Sequence, residues 1–285
     1  MRNFFAFPLV RLVLILLSFG TLLSIFLLLV HTPNAADSIW WSIGNNWVAA
    51  ALLLASMILI ERLTAGLSPS AIGFDPRRAL SDLALGVGLG AILFSAVVIE
   101  LSLGGYYHVT AIHVTPDVAV AALLLAGGAV TEELLLRGVV FRLIEEWAGT
   151  WISLAVSGVV FGVLHAANPG ATWVSTLAIA LEAGVLLAAA FVVTKNLWLP
   201  IGLHFAWNFF EGPVYGTQVS GHTFLTSAIG AHLSGPAFLT GGAFGPEAGL
   251  PAVVTCSLAA LVLLAYAKRR GLIAPPRWGH PVAAV

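Results

Sequence analysis

Apolar residues in this chain run in long blocks, and the polar residues between them cluster in short stretches. A helix needs about 20 apolar residues to cross a bilayer, so blocks of this size predict membrane-spanning helices. The expected spans are 9–30, 46–63, 83–103, 118–147, 151–167, 172–194, 198–210 and 251–267. Gly149 separates the fourth from the fifth, Asn168-Pro169-Gly170 the fifth from the sixth, and Pro200 lies near the start of the seventh. The stretches 64–82, 104–116 and 212–249 read as loops, the last long and rich in Gly and Pro. The first block carries Arg11 and is longer than the 7–15 residues of a signal-peptide core, so it reads as an uncleaved anchor, although Asn34-Ala35-Ala36 faintly resembles a cleavage site. Trp40, Trp41 and Trp47 are expected in an interfacial aromatic belt.

Composition supports this pattern. Of 285 residues, 59% are hydrophobic and only 9% charged, and the mean hydropathy is +0.99. A soluble domain carries about 25% charged residues. The expected fold is therefore all-α: one integral membrane domain over 1–285, a bundle of about eight transmembrane helices. A net charge of −1 and the lack of a basic patch with interleaved aromatics argue against a nucleic-acid partner. The single cysteine, Cys256, lies in an apolar run and reads as a small core residue.

Charge then sets the orientation. With eight crossings, both termini share a side, and the Lys and Arg residues fall on or toward that side, Arg137 lying within the fourth helix on the same half. The loops 31–45, 104–117, 168–171 and 211–249 contain neither. The positive-inside rule places both termini in the cytoplasm of a multi-pass cell-membrane protein.

Against this background Thr131-Glu132-Glu133-Leu134-Leu135-Leu136-Arg137 stands out. Ionised groups at membrane depth cost roughly 2.5–3.5 kcal/mol each even on a lenient insertion scale. On a helix, Glu133 and Arg137 (i, i+4) lie within pairing reach, while Glu132 points about 100° away from Glu133. One carboxylate is expected to be neutralised by the arginine and the other left free. Catalysis and a structural charge knot both remain open on this segment alone.

Further polar residues lie in the later helices: His165 one turn after Phe161, and His204 and Asn208 on a shared face at i, i+4. Singly, each reads as an interhelical hydrogen bond. At about 1.5 Å per residue, Glu132 and His165 return to the same level on either side of the Gly149 elbow. Straight, upright helices would instead leave His204 roughly 15 Å below His165, a gap for tilt, a re-entrant stretch or a break at Pro200 to absorb.

The ordered set Glu132-Glu133-x-x-x-Arg137, Phe161-x-x-x-His165 and His204-x-x-x-Asn208 resembles the three motifs of the CaaX protease and bacteriocin-processing family, also called Abi, which includes the Ras-converting CaaX endoprotease. The segment Asn196-Leu197-Trp198-Leu199-Pro200-Ile201 is similar to bacterial members. The likeness covers about 118–215, the expected catalytic core. It implies a glutamate-type intramembrane endopeptidase. Glu132 with His165 would activate a water, His204 and Asn208 would donate to the oxyanion, and Glu133 with Arg137 would support them. The implied partners are a peptide or protein substrate, arriving from the membrane or cytoplasmic side, and the lipid bilayer. No cofactor is implied.

Three other functions compete. A zinc metalloprotease could take Glu132, His165 and His204 as ligands, though no His-Glu-x-x-His helix exists. A bacteriocin-immunity or scaffold protein would use the charges structurally. A proton-coupled transporter would use Glu132 and His165 as a relay, without an inverted repeat to support it. Glu182 reads either as a partner of the site or as a packing residue. Arg142 and Glu146 are expected to make a solvated i, i+4 pair, and Asp37, Asp75 and Asp117 to serve turns or caps. His222, His232 and His280 receive no role.

Overall fold

The computed structural model describes residues 2–30, 38–113, 116–224 and 226–276. Asn34-Ala35-Ala36, Asp37, Arg277 and His280 lie outside the described residues. Eight long helices make up the body: α1 Pro8–Leu29, α2 Ile39–Ala65, α3 Ala79–Leu103, α4 Asp117–Ala148, α5 Thr150–Leu164, α6 Trp173–Thr194, α7 Trp198–Phe209 and α8 Leu250–Arg269. Among the described residues, seven spans, all but α7, are long and apolar enough to cross a membrane.

The α7 helix is 12 residues long and extends through a five-residue π-helical turn, Phe210–Val214. It crosses beside α3, running in the same direction. Its first residue, Trp198, donates its indole N–H to the Asp75 carbonyl at 3.2 Å, just before α3 begins. Tyr215, just past its end, lies 2.9 Å from the Ser95 hydroxyl on α3. Glycines allow this approach: a Cβ on Gly90 would fall 2.5 Å from the Leu203 carbonyl, and one on Gly202 would fall 2.4 Å from the Leu83 carbonyl. Membrane helices associate by such close packing, because lipid leaves no hydrophobic drive between them.

Both ends of the bundle meet one elbow. Gly149, at φ 80°, separates α4 from α5. From the N-terminal side, Arg11 on α1 pairs with Glu146 and, at 2.7 Å, with Glu61. From the C-terminal side, the Thr150 N–H donates to the Ala274 carbonyl at 3.0 Å. Glu61 also takes Arg142, and Glu145 takes Lys195 at 2.7 Å. The expected Arg142–Glu146 pair is therefore not formed. Arg11 takes Glu146 and Arg142 takes Glu61, whose complete burial requires that its charge be paired.

The opposite face is not only loop. Tyr107–Ile112 (β1) pairs antiparallel with Ile229–Leu233 (β2), with Tyr107 opposite Leu233 and an irregularity between Val109 and Ala111. This ribbon joins the α3–α4 connection to the long α7–α8 connection. The α2 helix also extends further toward this face than expected, so Trp40 and Trp41 lie on it rather than before it.

The α6–α7 turn resolves the level of His204. Leu197, fully buried, packs its Cδ1 3.3 Å from where a Gly138 Cβ would sit. Gly138 lies ten residues above Ala148, about 15 Å up α4. The turn is therefore embedded well above the Gly149 elbow, held from below by Gly73, whose carbonyl accepts the Leu197 N–H at 2.9 Å. Starting from there, α7 needs only its first seven residues to bring His204 to Glu133.

Candidate active site

The site forms where α4, α5, α6 and α7 meet, and π-helical turns lie in three of them. The α4 helix widens at Leu134–Phe141, directly after Glu132 and Glu133. The α6 helix does so at Ala180–Gly184, around Glu182, and α7 at Phe210–Val214, after Asn208. Such turns release carbonyls from the regular ladder and recur at functional sites. Here two of the carbonyls are used: Arg137, wholly buried, donates Nη2 to Ala183 O at 3.0 Å and Gly184 O at 3.1 Å.

Arg137 donates Nη1 to Glu133 Oε1 at 2.7 Å, and its guanidinium lies over the Phe161 ring, 4.8 Å from the centroid. The same Glu133 oxygen lies 2.9 Å from His204 Nδ1. A carboxylate held by arginine can only accept, so His204 carries its proton on Nδ1 and turns Nε2 away. His165 is fixed similarly. Its Nδ1 lies 2.8 Å from the Phe161 carbonyl, which also can only accept, and its ring stacks on Phe161 at 4.6 Å.

Both free nitrogens face Glu132. Its Oε2 stands 3.9 Å from His165 Nε2 and 3.9 Å from His204 Nε2, and has no hydrogen-bond partner. This is too long for direct bonds and suits a bridging water. Glu132 borders a cavity of about 960 Å³ together with His165, Asn168, Asn208, Ser220 and His222. A second, smaller space of about 20 Å³ lies behind, bordered by His165, His204, Asn208, Glu182 and Glu247, room for about one water.

All six residues singled out by sequence therefore converge. Glu132, His165 and Asn208 face the large cavity, His204 joins His165 and Asn208 around the small one, and Glu133 and Arg137 stand behind. Glu182 lines the small cavity with the Cys256 thiol beside its carboxyl. Cys256 lies against it, buried as expected of a small core residue.

Three neighbours were missed. Glu247 and Glu211, both buried, lie against each other next to Glu182. Ser220 borders both cavities, and its carbonyl accepts from Asn168 Nδ2 at 3.1 Å. Burial pushes the Glu247 carboxyl above its ordinary range, and Ser220, Glu211 and His165 offset part of that rise. Glu211 was findable, as an ionisable group directly at the end of an apolar block. Glu247 and Ser220 sit in the long connection, where nothing local marks them.

Zinc accepts a donor set of one carboxylate and two imidazoles. Two ligands of one tetrahedral zinc stand roughly 3.4 Å apart, closer than the 3.9 Å found. Among the described residues, no group of three or more His, Cys, Asp or Glu side chains is placed to hold a metal. As placed, these residues do not fit the ion.

Comparison with known families agrees with the motifs. Residues 113–210 match the family described as type II CAAX prenyl endopeptidase, Rce1-like. Over this segment the chain is similar to the CaaX-protease family. The matched segment covers all three motifs and runs from just before α4 to the first residue of the π turn of α7; α1–α3 and α8 lie outside it. Comparison with the curated proteins and with the solved structures gave no significant match.

Proposed function

We propose that this multi-pass membrane protein is an endopeptidase in which Glu132 and His165 activate a water for attack on a peptide carbonyl, without a metal ion. The observation that carries this reading is the convergence of Glu132 Oε2 and two imidazole Nε2 atoms whose Nδ1 sides are both tied back. A water held there donates one hydrogen to Glu132 and the other to His165, leaving an oxygen lone pair free for attack. Glu132 takes the proton as the C–O bond forms and passes it to the leaving amine as the C–N bond breaks, a general-base and general-acid cycle worth roughly 10²–10⁴-fold.

Asn208 and His204 serve the oxyanion. The Asn208 amide donates directly. His204 donates at Nε2 only when doubly protonated, and that cation would sit between Glu132 and Glu133. Preorganised donors in a site of low dielectric are the largest single source of stabilisation for such an intermediate. Glu133 and Arg137 hold His204 and the π turn of α6 in register. On this reading both chain ends lie in the cytoplasm and the protein in the cell membrane, which the distribution of Lys and Arg supports.

The test is purification in detergent, incubation with a peptide library, and comparison with Glu132→Gln. Cleavage by wild type that the variant loses while keeping its melting temperature supports the proposal. No cleavage by folded wild type, or equal cleavage by both, defeats it.

A further inference from the structure

Among the described residues, those that line the large cavity lead to one face of the bundle. Along α4 it is lined by Asp117, Val120, Leu124, Gly128 and Glu132, one stripe at helical spacing. That stripe begins at the first residue of α4 and stops at Glu132, about 22 Å deeper. Beyond Glu132 the route is closed by Glu133, Leu134, Leu136 and Arg137, all buried. The groove at the Gly149 elbow, lined by Arg142, Glu145, Lys195 and Ala274 among others, shares no residue with the cavity.

The rim lies on the face of the β ribbon. Trp40 there is 61% exposed, and His222 and Thr223 are exposed. The connections on this face carry no Lys or Arg, whereas the elbow face gathers them. The walls are mostly apolar, through Ile39, Trp40, Val120, Leu124 and Phe224, and include carboxylates but no Lys or Arg.

We infer that the substrate of this site is an apolar stretch of polypeptide that reaches Glu132 from the face free of Lys and Arg, the non-cytoplasmic face by the positive-inside distribution. This rests on the peptidase reading, and it replaces the expectation of access from the membrane or cytoplasmic side. An apolar segment buries its side chains against the walls on the way down. No Lys or Arg stands among the described lining residues to anchor a terminal carboxylate.

The experiment reads access separately from chemistry. Val120→Cys places a thiol on the cavity wall, Thr223→Cys on its rim, and Ser70→Cys on the exposed elbow face. The native Cys256 is buried, and wild type gives the background. Intact cells are treated with a membrane-impermeant thiosulfonate, before and after permeabilisation. Val120→Cys and Thr223→Cys are expected to react in intact cells at least ten times faster than Ser70→Cys, which should react only after permeabilisation. Reaction of Val120→Cys only after permeabilisation, or not at all, overturns the inference.

A second arm adds an impermeant apolar peptide with an amidated C-terminus to right-side-out vesicles. Cleavage is expected, and cleavage only in inside-out vesicles overturns the inference. Labelling from outside without cleavage of any library peptide in either orientation defeats the peptidase reading instead.

Discussion

Glu133 Oε1 accepts two hydrogen bonds, one from Arg137 Nη1 at 2.7 Å and one from His204 Nδ1 at 2.9 Å. The second of two adjacent glutamates is thus a joint between α4 and α7, while the first faces the cavity. Removing one partner of a buried ion pair costs about 3–5 kcal/mol, because the other charge is stranded. Glu133→Gln and Arg137→Met should therefore lower the detergent melting temperature and the expression level. Glu132→Gln should leave both nearly unchanged and reduce cleavage by about 10²–10⁴-fold. Normal cleavage by Glu132→Gln beside a folded but inactive Glu133→Gln would reverse the two roles.

His165→Ala should lose activity to a similar degree, since its Nε2 shares the water with Glu132. Groups acting on one water act as a unit. The Glu132→Gln, His165→Ala double variant should therefore fall little below either single one. Multiplying losses, measured as single-turnover cleavage rates, would show that the two residues act independently.

Active protein should contain no stoichiometric zinc, and prolonged chelation should leave cleavage intact. The 3.9 Å spacings around Glu132 Oε2 are wide for ligands of one ion. Metal analysis finding about one zinc per chain, lost with activity and restored with it, would favour the metalloprotease reading.

Glu247 makes a prediction about pH. Its carboxyl is raised in the folded protein, chiefly by burial, and faces Glu211, Glu182, His165, Ser220 and Cys256. The folded chain thus holds this proton more tightly than the unfolded chain. Stability from this group is complete below the ordinary value near 4.3 and is lost as pH rises through the folded value. Melting temperature should therefore fall as pH rises from 5 toward 8, and Glu247→Gln, which stays neutral, should flatten that fall. Equal slopes would place the proton elsewhere.

The α3–α7 contact can be tested through glycine. A Cβ on Gly90 would lie 2.5 Å from the Leu203 carbonyl and 2.9 Å from the Trp207 nitrogen, whereas one on Gly88 meets nothing within 4 Å. Gly90→Val should cost about 1–3 kcal/mol by overpacking and impair cleavage by displacing His204 and Asn208. Gly88→Ala should cleave like wild type. A Gly90→Val protein with unchanged melting temperature and rate would show that α7 does not depend on this approach.

The blocks of apolar residues were enough to find all eight helices, because a bilayer forces each span to satisfy its own backbone and so writes its length into local sequence. The charges were enough to find the site: ionisable groups are costly in such blocks, so Glu132, Glu133, Arg137, His165 and His204 mark themselves. The pairing of Glu133 with Arg137 followed from helical spacing alone. Contacts between distant segments did not. The height of His204 depends on Leu197 packing against Gly138 and Gly73, and straight-helix counting cannot include an embedded turn. The Arg11–Glu61–Arg142 network displaced a local pair because the buried Glu61 charge must be paired, and its partners lie on other helices. Glu247 and Ser220 reach the site from a connection whose local sequence carries no period, and only the closing of that connection over α5 and α7 brings them in. The face on which the cavity opens was likewise decided by tertiary structure, because it depends on which ends of α2, α4 and the α7–α8 connection stand apart.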